Sequence, residues 1–401
     1  MANTILTPTV IAREALFHLE NNLVMGRNVY RKYEHEFVKV GDTVNIRKPV
    51  QFEVTDGATL SKQNVTETNT SIVISSRKHV AWGFDTQSLT LSIEEYSKRY
   101  IQPGCIALAN QVDVDLLALY TDFYTSAGTA GTTPNTFSQL GNLAAAMDRV
   151  PVPDDGERKL VLNPTARWAM ADALKGIFDA SMPKEFVRKG LLGRLANMEI
   201  YGDQNVARHQ VGSDVGTGTP LVDTTTSADG DTSILTDGWS TTHTAAVRKG
   251  DVFTIAGVFS LNRVSKVNTG QLQQFVATAD ANSDGGGHVT IALDPPLKTT
   301  GAYATISALP ANDAALTFFG STEDATYAQN IAFHRNAIAL CVVPLELPDG
   351  ASWKARVEHD GLSIRIVKDY DVVEDEEIVR LDILYGKRVI YPELGARLWG
   401  E

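Results

Sequence analysis

A chain of 401 residues is long enough for two or three domains, each with its own core. With 43% hydrophobic and 21% charged residues, its composition is that of an ordinary globular protein rather than a disordered or fibrous one. The formal net charge of −12 argues against a protein that grips nucleic acid or an anionic membrane, because such binding needs clustered Lys and Arg. An acidic surface is suited to lying beside DNA without binding it.

The N-terminus lacks the basic and apolar regions of a secretory leader, and no uncharged apolar run reaches the length of about eighteen residues that spans a bilayer. We therefore expect a protein that is made and kept in the cytoplasm. Cys105 and Cys341 both lie in apolar surroundings. Because a reducing compartment disfavours disulfides and two thiols are too few for a structural zinc site, we interpret both as buried core residues.

The first 86 residues predict a helix followed by a long hairpin. Thr7 and Pro8 supply a cap and a proline at the first helical position, and apolar residues recur with helical spacing as far as Leu23. From Phe37 to Phe84 the apolar period changes to two, around a polar, Thr-rich stretch, "TDGATLSKQNVTETNT". We therefore predict a two-stranded arm with an exposed tip. Since an isolated hairpin is marginal in water, a protruding arm needs support from a neighbouring subunit.

The next segment predicts alternating helices and strands, to about residue 210. A helical stretch from Ser92 is expected to kink or restart at Pro103-Gly104. Residues 137–150 predict a second helix, and "ERKLVL" predicts a buried strand, followed by an Asn163 cap and a helix from Pro164 to Gly176. The first of these helices carries a predicted buried stripe: Ile106, Ala109, Val112, Leu116, Leu119 and Phe123.

A change of composition marks a second module. Residues 211–247 are rich in Gly, Ser, Thr and Asp and predict a loop, and residues 247–318 predict a small all-β unit with barrel-like spacing. We interpret its Gly250-Asp251 pair, like Gly41-Asp42 in the arm, as a turn that starts a strand. The remainder predicts a helix and a strand in "DATYAQNIAFHRNAIALCVVPLEL", then strands in "GLSIRIVKDYDV" and "EEIVRLDILYGKRVIY".

Candidate catalytic and metal sites are weak. Asp280, Asn282 and Asp284 match the first half of a calcium loop, but Ile291 stands where the bidentate Glu belongs, so we favour a hairpin turn. The acidic run at 374–377 lies between two predicted strands, and we interpret it as a solvated turn. No nucleophile elbow, cysteine-protease signature or HExxH is present in the sequence. We expect a non-enzyme with no catalytic residues, no cofactor and no metal.

Four stretches carry a resemblance to a known family: "KVGDTVNIRKP", "SRKHVAWGFDTQSLTLSIEEYSKRYIQPGCIALANQVD", "RKGDVFTIAGV" and "GLSIRIVKDYDVVEDEEIVRLDILYGKRVIYPELGARL". They look like segments of the coat-protein family of short-tailed Salmonella phages. The order of elements also resembles the major capsid protein of tailed bacteriophages. The resemblance implies an α+β, Hong Kong 97-type capsid fold with an inserted all-β domain.

The resemblance also implies a division of the chain. The expected domains are an N-arm at 1–36, an extended loop at 37–86, a spine helix and peripheral domain at 87–127, the first part of the axial domain at 128–222, an inserted β-domain at 223–320, the axial return at 321–350 and the C-terminal peripheral and axial strands at 351–401.

What the resemblance implies for function is self-assembly into the hexamers and pentamers of an icosahedral phage head. Expected partners are further copies of the chain, a scaffolding protein, a portal protein and packaged double-stranded DNA without sequence-specific binding, and no membrane. Assembly of the virion would take place in the host cytoplasm. From the charges in the arm we hypothesise subunit contacts to acidic groups on neighbours, through Arg47, Lys48, Lys62, Arg77 and Lys78.

Two other interpretations of the sequence stay open. An encapsulin-like compartment shell shares the fold but generally lacks a large inserted β-domain. An acidic cytosolic hydrolase with a β accessory domain would use a non-local site, for which His359, Asp360 and the Asp280 loop are the candidates. The capsid reading predicts that Arg77→Glu, or deletion of 55–70, abolishes assembly and leaves folded subunits.

Overall fold

A computed structural model of the chain describes residues 8–31, 43–54, 57, 62, 67–85, 97–150, 152–174, 193–223, 227–351, 353–359, 361–371 and 376–401. The chain divides into two compact units, each built from three separate segments. Unit 1 comprises Met1–Arg47, Asn69–Leu116 and Ile338–Ile390, and unit 2 comprises Lys48–Thr68, Leu117–Ala337 and Tyr391–Glu401.

Among the described residues the α-helices are α1 (Pro8–Asn22), α2 (Met25–Asn28), α3 (Gln102–Leu117), α4 (Phe137–Arg149) and α5 (Pro164–Leu174). The strands are β1 (Thr43–Arg47), β2 (Asn69–Val73), β3 (Ser76–Asp85), β4 (Thr125–Ala127), β5 (Arg158–Leu162), β6 (Arg194–Leu195), β7 (Met198–Gly202), β8 (Arg208–Gln210), β9 (Leu221–Val222), β10 (Asp231–Asp237), β11 (Val252–Leu261), β12 (Asn268–Ala277), β13 (Val289–Leu297), β14 (Leu316–Phe318), β15 (Thr326–His334), β16 (Ile338–Val342), β17 (Trp353–His359), β18 (Leu362–Asp371), β19 (Glu376–Val389) and β20 (Gly395–Trp399).

Unit 1 is organised around a five-stranded antiparallel sheet. Its strands run in the order β16-β19-β18-β17, and β3 pairs with β19 along ten register positions, from Ser76 opposite Tyr385 to Asp85 opposite Glu376. The predicted strands of β18 and β19 are therefore confirmed. The predicted two-stranded arm is present as the antiparallel pair β1 and β2. Strand β3, which the period-two pattern assigned to the arm, belongs instead to the large sheet.

Helix α3 packs closely on this sheet. A π-helical turn at Ser97–Ile101 precedes it, so the predicted restart near Pro103 is confirmed. A Cβ on Gly104 would lie 3.2 Å from both Trp82 and Leu381, which shows how closely the first turn of α3 approaches β3 and β19. The stripe was wrong at Ile106, which is exposed, because Cys105 occupies the first position of the buried face, which continues as predicted through Ala109, Val112 and Leu116.

Helix α1 covers strands β17 and β18 with an apolar face that was predicted from its spacing. Ala12, Ala15, Leu16 and Leu19 are all buried there. The turn after α1 is fixed by Asp113 of α3, whose carboxylate accepts hydrogen bonds from the backbone N–H groups of residues 24 and 26 at 2.7 and 3.0 Å. One buried carboxylate therefore connects the N-terminal helices to the central helix of the unit.

Unit 2 contains a seven-stranded sheet in the order β4-β20-β15-β5-β7-β6, with β8 also pairing with β15. Helices α4 and α5 start where predicted. Thr136 and Gln139 form a capping box at the start of α4, and the Asn163 side chain caps α5 by accepting from the N–H of Ala166 at 3.0 Å. Their inner faces pack with the sheet in one core that includes Leu140, Leu160 and Leu398.

The second sheet of unit 2 has six strands in the order β14-β11-β12-β13-β10-β9. It closes on itself, because Leu221 of β9 forms a bridge with Ala315, next to β14. The barrel interior holds a cluster of aromatic rings in which Phe253 lies 5.9 Å from Phe275 and 5.3 Å from Phe318 between centroids. The predicted barrel-like module is therefore confirmed as a closed six-stranded barrel.

Two predictions about this part of the chain were wrong. Residues 211–247 were expected to form a loop, but strand β10 lies within them and pairs with β13, and its Ile234 is buried in the barrel core. A helix was expected between 324 and 347, where the structure has strands β15 and β16 joined by a 3-10 turn at Arg335–Ala337. Both strands are buried on two faces, so their sequences carry no apolar period of two.

Several predictions fall on residues outside the described ones: the helix start at Ser92, the helix end at Gly176, the Gly41-Asp42 turn, Asp360, and residues 374 and 375 of the acidic run. The expected domain boundaries also remain predictions. Strands β9 to β14, at 221–318, lie close to the range expected for the inserted domain.

Candidate functional site

The five cationic residues proposed for subunit contacts lie in different local settings. Arg47, at the end of β1, and Lys62 are exposed. The Lys48 ammonium lies 5.5 Å from the ring centroid of Tyr391. Arg77 and Lys78 lie on β3, where each has an acidic partner in its own chain. The structure therefore does not gather the five residues into one patch of free charge.

Arg77 belongs to a cluster of three arginines around Asp382, a carboxylate that is 0% exposed. Arg365 Nη2 donates to Asp382 Oδ2 at 2.6 Å, Arg380 Nε donates to Oδ1 at 2.8 Å, and Arg77 Nη2 lies 3.5 Å from Oδ1. The carboxylate connects three neighbouring strands, β3, β19 and β18. Burial alone would raise the pKa of Asp382, but the hydrogen bonds from Arg365 and Arg380 outweigh it and hold that pKa below its ordinary value.

The arginine cluster has more positive than negative charge. Three guanidinium groups face one carboxylate, and the Arg77 side chain is 47% exposed while that of Arg365 is only 11% exposed. The excess charge therefore reaches solvent through Arg77 and the half-buried Arg380. In an otherwise acidic chain, such a position is suited to an acidic group from outside.

Lys78 takes part in a second network, at Asp115 of α3. The Asp115 carboxylate accepts from the Tyr385 hydroxyl at 2.6 Å and lies 3.5 Å from the Lys387 ammonium and 3.6 Å from that of Lys78. Burial opposes ionisation, yet these partners together keep the pKa of Asp115 below its ordinary value. The network attaches helix α3 to strands β3 and β19, so Lys78 has a role inside the subunit.

The Gly250-Asp251 turn is part of the framework, as the sequence indicated. Gly250 has φ +98°, and the buried Asp251 accepts from the N–H groups of Gly212 and Arg248 at 3.1 and 2.7 Å. Its other oxygen lies 2.8 Å from His209 Nε2, and His209 Nδ1 lies 3.1 Å from the Tyr120 hydroxyl. A neutral imidazole that donates from Nε2 and accepts at Nδ1 satisfies both contacts. The turn thereby attaches strand β11 of the barrel to the seven-stranded sheet.

The three residues of the candidate calcium loop accept hydrogen bonds from backbone N–H groups. Asp280 Oδ1 accepts from the N–H of Lys249, Asn282 Oδ1 from that of Ala245, and Asp284 Oδ1 from that of His288. Within the described part of the chain, no group of three or more His, Cys, Asp or Glu side chains is placed to hold a metal ion. His359 ends β17 and pairs in register with Leu362. Both cysteines are buried, as predicted.

Sequence reasoning missed Arg365, Arg380 and Asp382. A usable signal was present, because "VRLDILY" places an Asp in an apolar run that is buried on both faces as part of β19. A charged residue in such a run needs a buried partner. The role of Asp251 was predicted only as a turn residue, and its contact with His209 joins positions 42 residues apart that no local pattern connects.

Comparison with solved structures finds phage structures similar to this chain. A solved structure from Mycobacterium phage Che8 matches with a TM-score of 0.50 and 14% identity, over 94% of this chain and 90% of that chain. The capsid structure of Cyanophage P-SCSP1u matches with a TM-score of 0.48 and 9% identity, over 94% and 88%. The capsid of a native GTA particle matches with a TM-score of 0.41 and 10% identity, over 91% of this chain and 86% of that chain. The Che8 match shows the shared α+β fold, with which the Hong Kong 97-type prediction is consistent.

The family follows from sequence. The family model described as P22 coat protein, gene protein 5, matches residues 1–400. The chain belongs to the P22 coat protein family and is a structural major capsid protein of a bacteriophage, as the resemblance implied. No curated protein sequence matches it. Among the described residues, no helix is both long and apolar enough to cross a membrane.

Proposed function

We propose that this coat protein assembles into pentamers and hexamers of a closed icosahedral shell around double-stranded DNA. In this proposal a scaffolding protein and a portal protein take part in assembly, which occurs in the host cytoplasm, and the subunit has no catalytic role. The observation that carries the proposal is the coat-protein family match over residues 1–400, nearly the whole chain.

The arm supplies a physical reason for self-association. Strands β1 and β2 form a two-stranded sheet of five register positions, and such a sheet is marginally stable alone. Ile46 and Ile72 are buried within unit 1, but Val73 at the end of β2 is exposed. A neighbouring subunit that covers the exposed side would complete the burial of the arm. Repeated around a closed shell, many weak contacts of this kind become effectively permanent.

The charges of the arm favour contacts with acidic surfaces of neighbouring subunits. The chain carries a net charge of −12, so the surface of a neighbouring subunit is acidic on average. Arg47 and Lys62 are exposed, and Arg77 brings the excess charge of the arginine cluster to solvent. We assign these residues to contacts with acidic groups of neighbours. Each exposed ion pair contributes only about 0.2–1 kcal/mol, so the arm acts through the sum of many pairs.

The same net charge limits the interaction with the packaged DNA. Binding that neutralises phosphates requires clustered Lys and Arg, and the affinity increases with the number of phosphates contacted. An acidic subunit therefore encloses DNA without gripping it and without reading its sequence.

Electron microscopy of the purified protein, co-expressed with its scaffold, tests the proposal. Closed shells with rings of five and six subunits are expected. A uniform small oligomer in the presence of scaffold would refute it. Particles from infected cells are expected to protect double-stranded DNA from nuclease, whereas protein cargo in place of DNA would indicate a compartment shell.

Lys62 allows the sharpest test of the arm charges. Arg77→Glu would place a second carboxylate beside the buried Asp382 and destabilise the subunit itself, so its assembly defect would be ambiguous. Lys62→Glu changes an exposed side chain, and Lys62→Arg is the matched control that keeps the charge. The loss of one ion pair per subunit is expected to raise the concentration needed for assembly by about two- to fivefold. Equal assembly of both variants would exclude Lys62 from the contact.

A further inference from the structure

The face of the seven-stranded sheet that meets the barrel carries a buried cluster of polar side chains. Arg397 and Trp399 are two residues apart on β20 and therefore point to the same side. Gln329 of β15 is the register partner of Trp399, and Ser126 of β4 is the register partner of Arg397. Each of the four residues is at most 3% exposed. Three neighbouring strands thus bring four polar side chains together inside the protein.

These four side chains have polar atoms that no described residue satisfies. All three guanidinium nitrogens of Arg397 lack a hydrogen-bond partner among the described residues. The same holds for Nε2 and Oε1 of Gln329, Nε1 of Trp399 and Oγ of Ser126. A buried polar atom without a partner is destabilising, and more so when it is charged. Seven such atoms in one place indicate that the cluster binds something that hydrogen-bonds to it.

Most of these atoms are donors. The guanidinium group offers five N–H bonds, the amide two, the indole one and the hydroxyl one, against the acceptor oxygens of Gln329 and Ser126 alone. A water molecule must itself donate, and only the oxygens of Gln329 and Ser126 could accept its hydrogens. An anion only accepts, and it also neutralises the guanidinium charge. We propose that Arg397, Gln329, Trp399 and Ser126 form a buried binding site for one small monovalent anion of the chloride class.

The charges around the cluster support an anion as the missing partner. The Arg397 guanidinium carbon lies 5.7 Å from the ring centroids of both Tyr120 and Trp399, and these rings supply only partial compensation. Asp251, a buried carboxylate that acts on Arg397, already accepts from three donors, two of them backbone N–H groups and the third the His209 imidazole. Burial lowers the pKa of Arg397 to about 10, although Tyr120, Asp251 and Asp122 act in the opposite direction.

The site lies where the barrel joins the sheet. Gln274 of β12 accepts from the N–H of Ser126 at 2.6 Å and donates to its carbonyl at 3.0 Å. Trp399 packs in one cluster with Val252 and Val276 of the barrel strands. An anion bound to Arg397 would therefore stabilise the attachment of the barrel, and its loss would loosen this junction before the rest of the subunit.

Thermal unfolding of the full-length protein in sodium chloride and in sodium gluconate, at matched ionic strength, tests the proposal. Ligand that binds only the folded state raises Tm with saturation, and between 5 and 300 mM chloride we expect a rise of about 2–4 °C that gluconate does not produce. Arg397→Met should abolish the difference, and Arg208→Met, at an exposed arginine of the same sheet, should retain it. Equal Tm values of the wild-type protein in both salts would overturn the proposal.

A second measurement covers the case in which Arg397→Met does not fold. Crystals of the wild-type protein grown in sodium bromide should show an anomalous peak at hydrogen-bond distance from the Arg397 guanidinium nitrogens. Bromide peaks confined to the protein surface, or ordered water at this position, would refute the site.

Discussion

The arginine cluster at Asp382 gives the most direct test of how unit 1 is held together. Asp382→Asn removes the carboxylate that joins Arg77, Arg365 and Arg380 across strands β3, β18 and β19. The substitution keeps the size of the side chain and leaves three guanidinium groups facing each other. We therefore expect a loss of stability without a change in fold.

The size of the loss follows from burial. Removing one partner of a buried ion pair costs about 3–5 kcal/mol, because the remaining charge is left uncompensated. Asp382 is 0% exposed and Arg365 only 11% exposed, but Arg77 and Arg380 reach solvent and remain solvated. The lower end of the range, about 3 kcal/mol, therefore applies. With a urea m value of about 3 kcal/mol/M, the unfolding midpoint should fall by about 1 M.

Urea unfolding of the full-length subunit at pH 7, followed by circular dichroism, measures this shift. Asp369→Asn is the matched control, because Asp369 is an exposed carboxylate on β18. The folded pKa of Asp382 lies below its unfolded value, so its stabilisation is present above pH of about 4 and is lost as pH falls through the folded pKa. The gap between wild type and variant should be constant from pH 7 to pH 5 and narrow at more acidic pH. Equal midpoints for both Asn variants at pH 7 would refute the reasoning.

Two further predictions concern the barrel junction and the core. Gly250→Ala should lower Tm, because φ at this position is +98° and the new Cβ would lie 3.0 Å from Thr121 Cγ2 and 3.2 Å from His209 Cε1. An unchanged Tm would show that the turn adjusts to the new side chain without loss of stability. Cys105, whose pKa burial raises to about 12, should not react with a thiol reagent at pH 8 until urea unfolds the protein. If Cys105 in the folded protein reacted as fast as an exposed thiol does, its burial would be contradicted.

The sequence predicted best those elements whose signals are local. Pro8, Thr136 and Asn163 mark helix starts through caps or a fixed φ, and each helix begins within a residue of the predicted position. The strands β18 and β19 were also predicted, since their apolar residues and turn boundaries lie close together in the chain. In these segments the local preference and the final environment agree.

Errors occurred where the environment is set by distant parts of the chain. Strand β10 reads as a polar loop, and it becomes a strand because β13, more than fifty residues away, pairs with it. Strand β15 reads as a helix, and its place between β20 and β5 is fixed by partners on both sides in sequence. The candidate site shows the same limit. Arg77 was identified by its charge, but its buried partner Asp382 lies 305 residues further along.

The position of β20 in its sheet has a consequence for incomplete chains. Residues Gly395–Trp399 lie between β4, to which they are parallel, and β15, to which they are antiparallel. A chain that ended before Gly395 would leave hydrogen-bonding groups unpaired along the facing edges of β4 and β15. Exposed edges of this kind accept strands from other chains. Truncated subunits would therefore associate through the wrong surface, and only the finished sheet directs self-association to the surfaces that build a shell.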